Sequence, residues 1–199
     1  SSIFVVGGFS TNAMLQDLVL YNPNRRRERV PLVRGRYTQV LESMHAGMTL
    51  GAFEKALGAP EPVDYFKGEG GDWVVLYACR GEGRMSFLYE FNAGHGVIAR
   101  VRKQDDFEVM IDEKPISASL DAEAASITAG TKIDSVFARL GRSVPSKYYF
   151  HKDDSTGEDQ EADRMGLKNR WCVCFHFGKF MVFVDAATGL VLGKAFCEL

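Results

Sequence analysis

Residues 46–60 read "AGMTLGAFEKALGAP", and residues 129–145 read "AGTKIDSVFARLGRSVP". Both begin with Ala-Gly, reach a Leu-Gly pair and close on proline. Gly47 and Gly130 stand 83 positions apart, and so do Gly58 and Gly141. Between the glycines, Leu50, Phe53 and Leu57 correspond to Ile133, Val136 and Leu140. The spacing i, i+3, i+7 puts these three on one face of a helix. Thr49 and Thr131 stand where a hydroxyl can cap a helix N-terminus. Asp134 adds a weak capping box to the second copy. Gly58 and Gly141 stand where a left-handed C-terminal cap is expected. The chain therefore predicts two short helices, each with its own start and stop.

The segments C-terminal to each helix also correspond. The first copy continues "DWVVLYACR", "RMSFLYEF" and "VIARVRK", and the second "RWCVCFHF", "FMVFVDA" and "LVLGKAFCEL". Gly-bearing turns separate these apolar runs, the pattern of an antiparallel meander. Trp73 matches Trp171, Asn92 matches Asp185 and Gly96 matches Gly189. A helix packed across a three- or four-stranded sheet gives an α+β layer. The expected architecture is α+β: two tandem units, each a helix layer on an antiparallel β-meander. Residues 1–39 form an N-terminal extension, 40–103 the first unit, 104–124 a linker with an edge strand, and 125–199 the second unit. The second copy carries an insert, "HKDDSTGEDQEADRMGLKN", whose acidic residues and turn formers read as a mobile loop. In the extension, "IFVV" reads as a strand, "NAMLQDLVLY" as a helix or strand, and "NPNRRRER" as a loop.

Composition narrows the function classes. The chain has 199 residues, enough to bury roughly 70% of its unfolded surface without a metal or disulfide. A formal net charge of −2 argues against a general nucleic-acid binder, which needs a dominant basic field. Arg25, Arg26, Arg27, Arg29, Arg34 and Arg36 form the basic cluster, read as a solvated loop or a dock for an acidic partner. No apolar run approaches the 18 or so residues of a membrane helix. The opening "SSIFVVGGF" is too short, and lacks the basic flank, of an intact signal peptide. A removed N-terminal anchor, and with it membrane proximity, stays open.

The Gly-Met-Thr opening at Gly47, Met48 and Thr49, the Leu57-Gly58-x-Pro60 exit and the early strand Trp73 resemble small envelope lipoproteins of outer-membrane assembly. Gly130, Leu140, Gly141 and Trp171 repeat that pattern. A tandem of such units resembles the β-lactamase inhibitor protein family. The resemblance covers about two thirds of the chain (residues 46–102 and 129–199). It implies a non-catalytic protein-binding module of envelope or inhibitor type, with another protein as partner, no cofactor, and residence in the periplasm or cell envelope. A cytoplasmic location is the alternative.

Side chains alternate faces along a strand. With Trp73, Val75, Tyr77 and Cys79 turned toward the helix, Val74, Leu76, Leu88, Ile98 and Arg100 turn outward. In the second copy His176, Met181 and Phe183 do the same. Both outer faces are apolar for surfaces expected to be wet. One explanation is that they cover each other or are covered by residues 1–45. The other is that they bind a partner, and these eight residues are the candidate site. Alternatives from other classes are a small-molecule or lipid sensor using the same face as a pocket, and an enzyme with an unrecognised site. No catalytic residue is assigned, because no nucleophile–base–orienter motif surrounds His45, His95, His151 or His176. Cys172, Cys174, His176 and Cys197 raise a zinc site, but alternate residues on one strand lie about 7 Å apart, too wide for tetrahedral ligation. No metal is assigned. Cys79 is expected to be a free thiol buried under the first helix.

Overall fold

The structure, a computed structural model, describes residues 5–9, 16–20, 28–30, 37–105, 120–153 and 160–197. Three strands open the chain: β1 (Val5–Phe9), β2 (Gln16–Leu20) and β3 (Glu28–Val30), paired antiparallel in that order. "IFVV" and "NAMLQDLVLY" thus both contribute strand. The "NPNRRRER" loop passes into β3 at Glu28, and its earlier residues lie outside the described ones.

The first repeat comprises helices α1 (Tyr37–Ser43) and α2 (Leu50–Leu57). They are followed by β4 (Asp64–Lys67), β5 (Trp73–Arg80), β6 (Met85–Asn92) and β7 (Val97–Asp105). The second comprises α3 (Leu120–Ala125), α4 (Ile133–Leu140), β8 (Lys147–His151), α5 (Gln160–Met165), β9 (Arg170–Phe177), β10 (Phe180–Asp185) and β11 (Val191–Phe196). Each repeat is a four-stranded antiparallel sheet, ordered β4-β5-β6-β7 and β11-β10-β9-β8. The fold is α+β, two tandem units of helices on antiparallel sheets. The linker's edge strand falls on residues 106–119, outside the described ones. The end of the linker, from Leu120, forms α3.

Helix α2 forms where its stripe requires. Leu50, Phe53 and Leu57 are buried, and Gly58 ends the helix at φ +75° with its N–H donated to Glu54 O. The Ala52 N–H donates to Thr49 Oγ1 at 3.3 Å, the expected cap. The Phe53 ring meets Tyr77, Tyr89 and Phe91 edge-on at 5.1, 5.0 and 5.1 Å. Burying a side chain of that size stabilises the fold by about 2–3 kcal/mol.

Helix α4 keeps its stripe, with Phe137 added to Ile133, Val136 and Leu140. Its ends depart from expectation. The residue at the N-cap is Lys132, which has no acceptor, and the Thr131 hydroxyl donates instead to Thr128 O at 2.8 Å. Gly141 ends the helix at φ +93°, ψ 156°, outside the left-handed cap region, so the chain leaves extended.

Both sheets anchor their helices through the same device. The Gly47 and Leu50 N–H groups donate to Ile98 O and Gly96 O, and the Gly130 and Ile133 N–H groups to Val191 O and Gly189 O. One apolar core runs through both units, from Leu41 and Phe53 to Phe175 and Val191. Cys79 lies within it as a free thiol, 1% exposed, hydrogen-bonded with the Tyr37 side chain. The helix over it is therefore α1, whose Leu41 carbonyl also accepts from the Tyr89 hydroxyl at 2.7 Å.

The insert after β8 is not simply a loop. Residues 160–165 form α5, and this helix packs on the second sheet. Its acidic residues face water, while Ala162 and Leu167 supply the apolar contacts that its composition masks.

Candidate functional site

The two repeats meet through contacts that occur twice. The Tyr65 hydroxyl on β4 donates to Ala186 O at 2.9 Å and approaches Asp185 O at 3.3 Å. The Tyr148 hydroxyl on β8 donates to Ala93 O at 2.9 Å and approaches Asn92 O at 3.3 Å. Each tyrosine of one sheet thus closes the hairpin tip of the other. The tryptophans repeat the exchange. Trp171 lies over Gly96 and Trp73 over Gly189, at positions where any side chain would collide with the indole. Gly94 and Ala187, equivalent positions in the two tips, touch each other. Equivalent residues in contact mark an approximate two-fold axis between the tips. Burial holds both tyrosine hydroxyls far above the usual phenol range, so they are neutral donors.

The outer face of the first sheet is built in rows. Asp64, Leu76, Glu90 and Arg100 pair across β4 to β7, and beside them run Ala78, Leu88 and Arg102. Leu76, Ala78 and Leu88 are buried at 5%, 3% and 0% exposure. Strand β2 runs against β5. Glu90 is buried among these residues and held by Arg100 through two bonds and by Arg102 at 3.2 Å. Burial pushes the Glu90 carboxyl up, but the two guanidiniums outweigh it and hold it below the usual range. Asp64 is paired with Arg142 of the second unit at 2.7 Å.

The outer face of the second sheet has matching rows. Lys147, Cys174, Phe183 and Gly193 form one, Tyr149, Cys172 and Asp185 another, and His176, Met181 and Ala195 a third. Here α5 is the cover. Ala162, Leu167 and Cys172 make a buried cluster, with Tyr149, Met165, Phe183 and Leu192 packed against it. The Met165 side chain fills the space over Gly193, where a β-carbon would lie 2.5 Å from its Cγ. Burial pushes the Cys172 and Cys174 thiols up to about 12.

The eight candidate residues are placed unequally. His176 and Met181 are register partners and, like Phe183, half-buried on one face. Leu76 and Leu88 share the first outer face but are buried, while Val74 is half-buried and Arg100 exposed. Ile98 faces the other way. A bulge between Glu90 and Phe91 shifts the β6–β7 register, so Ile98 pairs with Phe91 and enters the core. The histidines lie after α1, in the β6–β7 turn, at the end of β8 and on β9, four separate places. Among the described residues no three His, Cys, Asp or Glu side chains converge as metal ligands. None of the described helices is long and apolar enough to cross a membrane.

Tyr65 and Tyr148 are absent from the candidate residues, although the structure gives them matching roles. Their signal is present in the chain, since they too stand 83 positions apart. No protein-family model, curated protein or solved structure matches the chain.

Proposed function

We propose that the chain is a non-catalytic protein-binding module that engages another protein through the outer face of a sheet, with His176, Met181 and Phe183 at the centre of the contact. One observation carries the reading. Both outer faces are apolar beyond what a solvent face needs: Leu76, Ala78 and Leu88 are buried on one, and the inserted helix α5 packs on the other. A rigid two-sheet frame bearing apolar faces suits a partner surface of several hundred square ångströms. The family resemblance supports the same class and favours residence in the periplasm or cell envelope. Buried thiols such as Cys79 are compatible with either compartment, because burial rather than redox poise protects them.

Site-specific photo-crosslinking tests the proposal. A photoreactive residue at Met181 or Phe183, in the organism's own extract, is expected to trap one discrete protein saturably. The same group at Lys55, exposed on helix α2 of the first unit, is expected to trap none. Identical adducts from both positions, or none from the sheet face, overturn it. With the trapped protein purified, Met181→Asp is expected to weaken binding by at least tenfold, the scale of a central interface residue.

A further inference from the structure

The two outer faces are equivalent under the two-fold, but α5 belongs to the second alone. Helix α5 has no counterpart in the first repeat, where β4 passes to β5 through residues 68–72 alone. It is an addition laid on a finished sheet. The β8–β11 ladder is complete without it.

Its attachment is slight. Six residues are too few for a helix to persist alone in water. Gly166, at φ +68°, ends the helix, and the Leu167 N–H donates to Ala162 O, so the segment closes its own backbone bonds. Lys168 pairs with Asp163 at 2.9 Å and Asp153 at 3.3 Å, but these carboxylates are 60% and 44% exposed, and such pairs hold little. Among the described residues, apolar contact by Ala162, Met165 and Leu167 on Cys172, Phe183, Leu192 and the bare Gly193 seats α5.

We propose that α5 is a displaceable lid, which lifts from the second sheet by local unfolding and controls access to the Cys172–Phe183–Gly193 end of the His176–Met181–Phe183 face. The proposal rests on that face being the interaction surface, but the lid itself is tested without any partner. A short element with few buried contacts belongs to the low-stability end of a fold, and opens far more often than the core beneath it.

Two native thiols report the two kinds of opening. Cys172 is 0% exposed and lies in the cluster that α5 covers, whereas Cys79 is 1% exposed in the shared core. The intact chain is alkylated with iodoacetamide at pH 8 in 0–2 M urea, and labelling of each cysteine is followed by peptide mass spectrometry. Cys172 is expected to react at least about 100-fold faster than Cys79, with a nearly flat urea dependence, because local opening exposes little surface. Ala162→Asp is expected to speed Cys172 by about tenfold or more and leave Cys79 within about twofold. Met165→Ala, a milder change that spares folding, is expected to speed Cys172 about threefold or more.

Labelling of Cys172 and Cys79 in step, with a shared steep urea dependence, overturns the lid. So does a Cys172 rate that ignores both substitutions. Failure to find a partner at Met181 leaves these rates unchanged, so the two readings fail separately.

Discussion

Replacing Gly96 with alanine probes the seam between the repeats most directly. Gly96 sits at φ +66°, and a non-glycine residue there costs about 1 kcal/mol. The added β-carbon would lie 2.0 Å from Trp171 Cζ2 and 2.1 Å from Cη2. The indole cannot simply turn away, because it packs on Tyr148 at 5.2 Å and Phe150 at 5.3 Å between ring centres. Moving it by more than about 1 Å is an overpacking cost of about 1–3 kcal/mol. Gly96→Ala should therefore lose about 2–4 kcal/mol. In a Trp171→Leu background the collision is gone and only the backbone term of about 1 kcal/mol remains. A double-mutant cycle by urea unfolding, read by far-UV circular dichroism, should then show coupling of about 1–3 kcal/mol. Additivity within about 0.5 kcal/mol would refute the placement of Trp171 on that turn. The mirror pair, Gly189→Ala with Trp73, should behave alike, since its β-carbon would lie 2.3 Å from the Trp73 ring.

Tyr65→Phe and Tyr148→Phe should each cost about 1–2 kcal/mol in thermal melts, by stranding a buried carbonyl, and the two values should agree within about 0.5 kcal/mol. Cys79→Ala should cost about 1 kcal/mol, whereas Cys79→Asp should abolish folding by burying a charge. Burial pushes the native Cys79 thiol up to about 12, so a thiol titration at pH 8 should find it silent until denaturant is added. Glu90, depressed by its arginines against the opposing effect of burial, contributes stability that is fully present above the ordinary glutamate range and lost as pH falls through its lowered value. Glu90→Gln should accordingly flatten the acid limb of the stability profile below about pH 4, and an unchanged limb would mean the arginine contacts are not formed in solution.

Much of this frame was legible in the chain because repetition is visible without any structure. The glycine offset of 83, the two apolar stripes and the matched tryptophans specify two like units. The face assignment is correct along β5 and β6 because alternation is a local property of a regular strand. It fails at Ile98 because a one-residue bulge leaves no mark on composition. Helix α5 is hidden for another reason. Its surroundings are acidic and turn-rich, and three apolar contacts are too few to raise a periodic signal. The hydroxyl of Thr131 could not be assigned in advance, since a cap and a local turn compete for the same group. The candidate face was legible only as a row of apolar residues. Its cover is a matter of long-range packing, which no local pattern encodes.

The contact between Gly94 and Ala187 has a consequence for how the molecule arose as one chain. A residue on a two-fold axis of two identical copies meets itself. Two alanines at this point would put β-carbons 2.9 Å apart, too close for unbonded atoms, and two glycines would leave a gap. Glycine on one side and alanine on the other fill the space that neither matched pair can. Two identical subunits cannot differ there, whereas two halves of one chain can. Joining two copies end to end thus does more than keep them together. It releases each axial position from having to be its own complement, and lets the seam be packed as tightly as an ordinary core.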